Sequence, residues 1–264
     1  MHPVIKWLED KNTFSKEGSQ RWYRVDGNGE WVPSVTTVLN VMDKGIYFHK
    51  WLANHLNYEH ACQVRDEAAQ RGTDVHLICE TLLEGKEIVL EECSNEILKR
   101  IMCFEEWWNS IGVEEIIASE VMLAYPGIQY AGRFDFIARI DGKNTLIDIK
   151  TGGYYNTHDL QASMYKILWD TICEELDLGP EYMIEDMYGL YLKDGWIKGP
   201  NPQYKKLKFR PKEVEAAITL WRYNNENAYG KVVPPKPKPV YKNTFKLEVK
   251  NGKNEKLSEL DSKL

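Results

Sequence analysis

The sequence predicts an α/β fold whose core runs helix, three-strand antiparallel meander, helix, strand, preceded by a β-ribbon and further helices. Three observations carry that expectation. Residues 116–125, 132–140 and 145–150 are runs rich in β-branched and aromatic residues, separated by the turn sequences Pro126-Gly127 and Asp141-Gly142-Lys143-Asn144. Residues 94–111 and a stretch that begins after Asn156 or Thr157 and runs to about residue 175, on either side, carry apolar positions at helical spacing. Another apolar run, 187–192, follows the second of these helices, so it reaches the sheet across a helix rather than a tight turn. A chain of 264 residues without an internal repeat suffices for one domain. It is expected over 1–230, with ribbon and helices in 1–112 and the core in 113–230, leaving 231–264 as a Pro/Lys-rich linker and basic tail.

Each element has a local reason. Residues 21–25 and 30–33 are short strand candidates split by Asp26-Gly27-Asn28-Gly29, whose residue types tolerate the positive φ of a hairpin turn. Pro33-Ser-Val-Thr-Thr-Val-Leu39 leads into a helical stretch to about residue 56, and a second helix, rich in Ala, Glu and Gln, starts near residue 59. Gly72-Thr73 is expected to interrupt it, with Thr73 capping a further helix over 74–83. There Val75, Cys79 and Leu82 form a core stripe, and His76 and Glu80, four apart, share another. The helix over 94–111 carries Trp107 and Trp108 and ends at Gly112. Asp159 falls in the first turn of the helix that begins after Asn156 or Thr157, where the macrodipole favours an acid. The last helix, about 211–228, offers Val214, Ile218, Leu220 and Trp221 as apolar positions.

Composition excludes several classes. No run of about 18 apolar residues would span a bilayer, and no basic-then-apolar leader opens the chain. An intracellular, cytoplasmic protein without a membrane partner is expected. Five cysteines, at 62, 79, 93, 103 and 173, form no C-x-x-C pair and read as reduced thiols rather than a disulfide framework or zinc ribbon. A net charge of −6 gives no global sign of a nucleic-acid partner, but carboxylates gathered round a cation count as negative in that sum.

Three polar clusters sit inside otherwise apolar or periodic stretches: Tyr130-Ala-Gly-Arg-Phe-Asp135, Leu146-Ile-Asp148-Ile-Lys150-Thr-Gly, and Gln161-Ala-Ser-Met-Tyr165. Period-two alternation puts Asp148 and Lys150 on one face of a strand and Ile147 and Ile149 on the other. A buried carboxylate and ammonium need each other, another charge or a metal ion. Asp135, expected mid-strand between Phe134 and Phe136, is a second acid needing a partner, and two such acids suggest a metal. Paired acids with a lysine are the outline of a metal-dependent phosphodiesterase site.

In order and spacing the set resembles the PD-(D/E)XK nuclease superfamily, in the RecB-like branch that includes phage recombination exonucleases, CRISPR-adaptation nucleases and the mitochondrial genome maintenance exonuclease. The resemblance covers roughly 31–165, with weaker support to about 230. Pro33–Leu39 is similar to the N-terminal segment of the mitochondrial and phage members, and Arg71-Gly-Thr-Asp-Val-His76 to the helix that supplies a histidine ligand. Gly132-Arg-Phe-Asp135 matches the second motif, Asp148-Ile-Lys150 the carboxylate-x-lysine signature, and Gln161 with Tyr165 the motif of the following helix.

The resemblance implies a restriction-endonuclease-like core and a Mg²⁺- or Mn²⁺-dependent DNA nuclease. His76, Asp135, Asp148 and the Ile149 carbonyl would hold metal, with Glu80 or Glu120 as further candidates. Lys150 would orient or deprotonate the attacking water, and Gln161 and Tyr165 would hold substrate phosphate or the lysine. It also implies DNA with a free end as substrate, a 5′-phosphate product, and a role in recombination, repair or replication beside proteins of those processes, in a host cytoplasm if the source is a phage. Oligomeric assembly stays open. No cysteine follows Cys173, so no iron-sulfur cluster is expected, and no phosphate loop of the G-x-x-x-x-G-K-[ST] type is present. An exonuclease is favoured over a structure-specific endonuclease of the same fold. A noncatalytic nucleic-acid-binding domain should have lost Asp135, Asp148 or Lys150. An iron oxygenase built on His76 or His158 with Asp135 needs two histidines at one site and leaves Lys150 and Gln161 unexplained.

Overall fold

The alternating segment ending in Lys150 is the central strand of a five-stranded sheet. The computed structural model describes residues 2–11, 14–16, 21–24, 31–88 and 93–229. In chain order they form α1 (Pro3–Asp10), β1 (Phe14–Lys16), β2 (Trp22–Arg24), β3 (Trp31–Pro33), α2 (Val35–Leu39), α3 (Gly45–Ala53), α4 (Tyr58–Leu83) and α5 (Asn95–Ile111). Then come β4 (Val113–Ser119), β5 (Met122–Leu123), β6 (Gly132–Arg133), β7 (Phe136–Ile140), β8 (Lys143–Lys150), α6 (Asn156–Glu175), β9 (Asp186–Tyr191), β10 (Gln203–Lys206) and α7 (Pro211–Tyr229). The α/β class and the core order of helix, meander, helix, strand are those the sequence predicts.

The main sheet has the order β10-β9-β8-β7-β4. Only β8 and β9 are parallel, because α6 crosses between them, whereas the other neighbours are antiparallel. Alternation then divides the core into two layers. Leu146 and Ile137 pack with α6, α7 and α2 on one face, while Ile147, Ile149, Phe136 and Ala138 pack with α4 and α5 on the other. Asp148 and Lys150, in phase with Leu146, therefore stand on the α6 face. At α5 the Ser94 hydroxyl caps the start by accepting from the Ile97 amide, and Gly112, where the sequence ends the helix, closes it at φ 70°.

Several expectations need correction. Gly72-Thr73 does not interrupt α4, which runs unbroken for 26 residues. The Thr73 hydroxyl donates to the Ala69 carbonyl one turn back, so it turns inward on its own helix instead of capping a new one. Gly72 is useful there for its size, since a Cβ would lie 3.3 Å from Thr151 Oγ1 beyond β8. Leu82 and Leu220 lie largely outside the core, at 37% and 44% exposure. The stretch expected to be helical from 35 to 56 is two helices, the second opening at Gly45 with φ 79°.

The strands expected over 116–125 and 132–140 each break in two, at Glu120 and at Phe134-Asp135. Both breaks serve one joint: Glu120 takes a left-handed backbone (φ 51°) and its amide donates to the Asp135 carbonyl at 2.7 Å. Asp135 is therefore at an interruption between β6 and β7, not mid-strand. The helix α1 and strand β10 were not anticipated, and β1 adds a third strand to the expected ribbon. The ribbon turn at 26–29 and the tail from 231 lie outside the described residues.

Gly132 marks the tightest contact between sheet and helix. A Cβ there would lie 2.6 Å from Tyr165 Cε1 and 3.1 Å from Val35 Cγ2. Both neighbours are buried, so neither can swing away. Gly132→Ala is expected to cost about 1–3 kcal/mol, measured as a lowered thermal midpoint.

Candidate active site

The end of β8, the break between β6 and β7, the middle of α4 and the second turn of α6 bring their polar side chains together. Lys150 Nζ lies 2.6 Å from Asp148 Oδ2 and donates to Gln161 Oε1 at 3.2 Å. Gln161 Nε2 donates onward to the Tyr165 hydroxyl at 3.4 Å. Gln161 and Tyr165 are one helical turn apart, so α6 presents them as a pair. Tyr165 is buried, and its hydroxyl braces Gln161 rather than facing solvent.

Asp135 connects the two halves of the site. Its Oδ1 is 3.1 Å from His76 Nδ1, and its Oδ2 accepts the Ile149 amide proton at 2.5 Å. Ile149 thus turns its peptide edge toward Asp135, and its carbonyl, the expected ligand, lies along that same edge of the strand. His76, Glu120 and Asp135 each offer a ligand atom within 4.8 Å of the others. Glu120, expected only as a reserve ligand, is therefore grouped with His76 and Asp135, while Asp148 is held by Lys150. Glu80 is outside that group, although its charge reaches Glu120.

Electrostatics mark the same place. Burial raises the Glu120 carboxyl, and the negative charges of Asp135 and Glu80 add to it, so that it is pushed up to about 7. Burial also raises Asp148, reinforced by Asp135 and opposed by Lys150. For Asp135, burial alone would raise the carboxyl, but His76, Lys150 and the Ile149 amide outweigh it and hold it below the usual range. The Asp135 charge raises His76. Carboxylates this close repel one another unless a cation joins them.

The residues fit a divalent ion. Carboxylate oxygens with one imidazole suit Mg²⁺ or Mn²⁺. Beside them the buried Asp148 carboxylate is answered by the Lys150 ammonium, 2.6 Å from its Oδ2. The iron-oxygenase alternative loses its geometry, because this ligand group contains one histidine and His158 is tied to Tyr191 instead.

Two residues near the site have roles that their sequence reading did not give them. Asp159 does more than favour the helix dipole. It is buried, accepts from the Tyr154 hydroxyl and the Lys208 amide at 3.2 Å each, and lies 3.9 Å from Arg210, fastening α6 to the segment before α7. His158, one residue earlier, lies near Lys150 and Lys205. Its Nδ1 receives the Tyr155 amide at 3.4 Å and is 3.0 Å from the Tyr191 hydroxyl. Because the amide must donate, Nδ1 accepts, Tyr191 donates, and the neutral ring carries its proton on Nε2.

Burial, with the charges of Lys150 and Lys205, lowers the His158 imidazole from 6.5 to about 3. The unfolded chain thus takes up this proton near pH 6.5 while the folded chain refuses it. Stability from this group is full above pH 6.5 and is lost as pH falls toward 3, by on the order of 1 kcal/mol per unit. Thermal midpoints measured from pH 7 to 4 should therefore fall less steeply for His158→Gln than for the natural chain.

No family model matches the chain, and no curated protein matches it. Among solved structures it is similar to an alkaline exonuclease from Laribacter hongkongensis, with 13% identity over 75% of this chain and 89% of that one and a TM-score of 0.33. The same exonuclease in complex with dAMP gives 14% identity, 75% and 90% coverage and a TM-score of 0.34. The crystal structure of SSO0001 gives 16% identity over 54% of this chain and a TM-score of 0.29, and the chain spans 62% of that protein's length. At these TM-scores the likenesses add nothing to the geometry of the site. No helix among the described residues is long and apolar enough to cross a membrane.

Proposed function

We propose that this chain is a divalent-metal-dependent DNA nuclease, and an exonuclease that works from a free end. One observation carries it: the ligand group His76, Glu120 and Asp135 adjoins a buried Asp148–Lys150 pair through Asp135, which touches both His76 and the Ile149 amide. His76, Glu120, Asp135 and Asp148, with the Ile149 carbonyl, would hold Mg²⁺ or Mn²⁺. The ion supplies Lewis acidity, relieving charge on the phosphate and easing loss of a proton from water.

The chain's own residues complete the arrangement. Lys150 orients the attacking water, and its ammonium is steadied by Gln161, itself braced by Tyr165. Water adds to phosphorus, the P–O3′ bond breaks, and the products are a 5′-phosphate and a 3′-hydroxyl. The preference for a free end rests on the similarity of Pro33–Leu39 to the exonucleases of the RecB-like branch. A partner nucleic acid in recombination, repair or replication follows from the same resemblance.

The test uses end-labelled linear DNA and closed circles, each single- and double-stranded, with Mg²⁺, Mn²⁺ or chelator. Loss of linear DNA alone, in metal only, is expected. Cutting of circles would replace the exonuclease by an endonuclease of the same site. Intact substrates in every metal would remove the nuclease reading.

A further inference from the structure

A cleft of about 630 Å³ opens between the corner joining α2 to α3 and the first turns of α6. Its walls include Leu39, Lys44, Phe48, Tyr155, His158 and Gln161. Gln161 is the same side chain that accepts from Lys150, so the cleft continues directly from the candidate active site. The volume lies in the range of small-ligand sites.

The wall offers two kinds of contact. Phe48 and Tyr155 are aromatic; Phe48 is stacked on Trp51, whereas Tyr155 is 58% exposed with its ring edge-on to His158. An aromatic ring left this open at a concave surface is suited to a flat partner. Beside it stand two donors without an acidic partner among the described residues. One is His158 Nε2–H, fixed as the donor because Nδ1 is occupied by Tyr155 and Tyr191. The other is the Lys44 ammonium, which rests 4.8 Å from the centre of the Phe48 ring. The one acid in this wall, Asp43, is already paired with His49 at 3.1 Å. Flat apolar surface next to unsatisfied donors matches a nucleobase joined to a phosphate.

We propose that this cleft is a nucleotide subsite that receives one unstacked nucleotide of the strand being cut, with its base against Tyr155 and Phe48 and its phosphate on His158 Nε2–H and Lys44. The assignment to a strand being cut rests on the nuclease reading above. A base lodged here cannot stay paired with its complement, so the subsite selects unpaired ends over blunt duplex. Any paired nucleotide would first have to leave its stack, at a cost in free energy.

The test is calorimetric titration of the full chain, in chelator, with thymidine 5′-monophosphate and with thymidine. Neither probe can be cut, and chelator keeps the phosphate from a metal. Saturable binding of the monophosphate is expected, with thymidine at least about tenfold weaker. Tyr155→Ala should weaken the monophosphate about tenfold or more and Tyr155→Phe should restore it. His158→Phe should weaken the monophosphate and leave thymidine unchanged. No saturable binding, or equal binding by Tyr155→Ala and the natural chain, would overturn the subsite. Cleavage measured on the same preparations separates the two ideas. A chain that binds in the expected pattern and cuts no DNA keeps the subsite and loses the nuclease reading. One that cuts DNA and binds nucleotide indifferently to Tyr155 loses the subsite alone.

Discussion

Lys150→Ala is expected to lower the single-turnover rate of DNA cleavage by about 10²–10³-fold, the usual worth of one positioned donor, while DNA binding persists. The lysine lies 2.6 Å from the buried Asp148 and is the group that Gln161 and Tyr165 brace. Its removal also leaves the Asp148 carboxylate unpaired. Losing one member of a buried pair costs about 3–5 kcal/mol, reduced to the extent that Asp148, already raised by burial, takes up a proton. Thermal melts should therefore show the variant folded but weakened, and Mn²⁺ should restore more of its stability than it adds to the natural chain. Near-normal turnover would take the lysine out of the chemistry.

Asp135→Asn is expected to lower Mn²⁺ affinity, measured by calorimetry, by at least about 100-fold, more than the 10–100-fold typical of a residue that only supports a ligand. Asp135 offers a ligand atom and also orients His76 and receives the Ile149 amide. An amide in its place keeps the size but loses the charge, and its NH₂ group would face the Ile149 amide or the imidazole. Glu80→Gln is the contrast: Glu80 is outside the ligand group, so its variant should change affinity far less. Equal losses for both variants would place the ion nearer Glu80 than the geometry does.

The central part of this arrangement is legible in the sequence because it depends on short-range periodicity. Alternation in Ile147-Asp148-Ile149-Lys150 fixes which two side chains share a face, and the four-residue step from Gln161 to Tyr165 fixes another pair. Gly112 at the end of α5 sets its limit for an equally local reason. What was not legible depends on contacts between distant segments. The break at Glu120 is stabilised by the Asp135 carbonyl, 15 residues ahead, and that break is what turns the Glu120 side chain toward His76. Gly72 stays helical, at a cost of roughly 1 kcal/mol relative to alanine, while α4 passes close to Thr151. Asp159 looks like a dipole-favouring acid until Lys208 and Arg210 are folded against it. The cleft between α2–α3 and α6 has no sequence signal, since its walls come from segments about 110 residues apart.

The most direct test of the central claim is a single-turnover time course on labelled linear single-stranded DNA, comparing the natural chain with Lys150→Ala in Mg²⁺ and in chelator. Cleavage by the natural chain in Mg²⁺, abolished by chelator and reduced at least about 100-fold by the substitution, is the result this site demands. Cleavage that survives either change would contradict it, because the chemistry would then lie somewhere other than His76, Glu120, Asp135, Asp148 and Lys150.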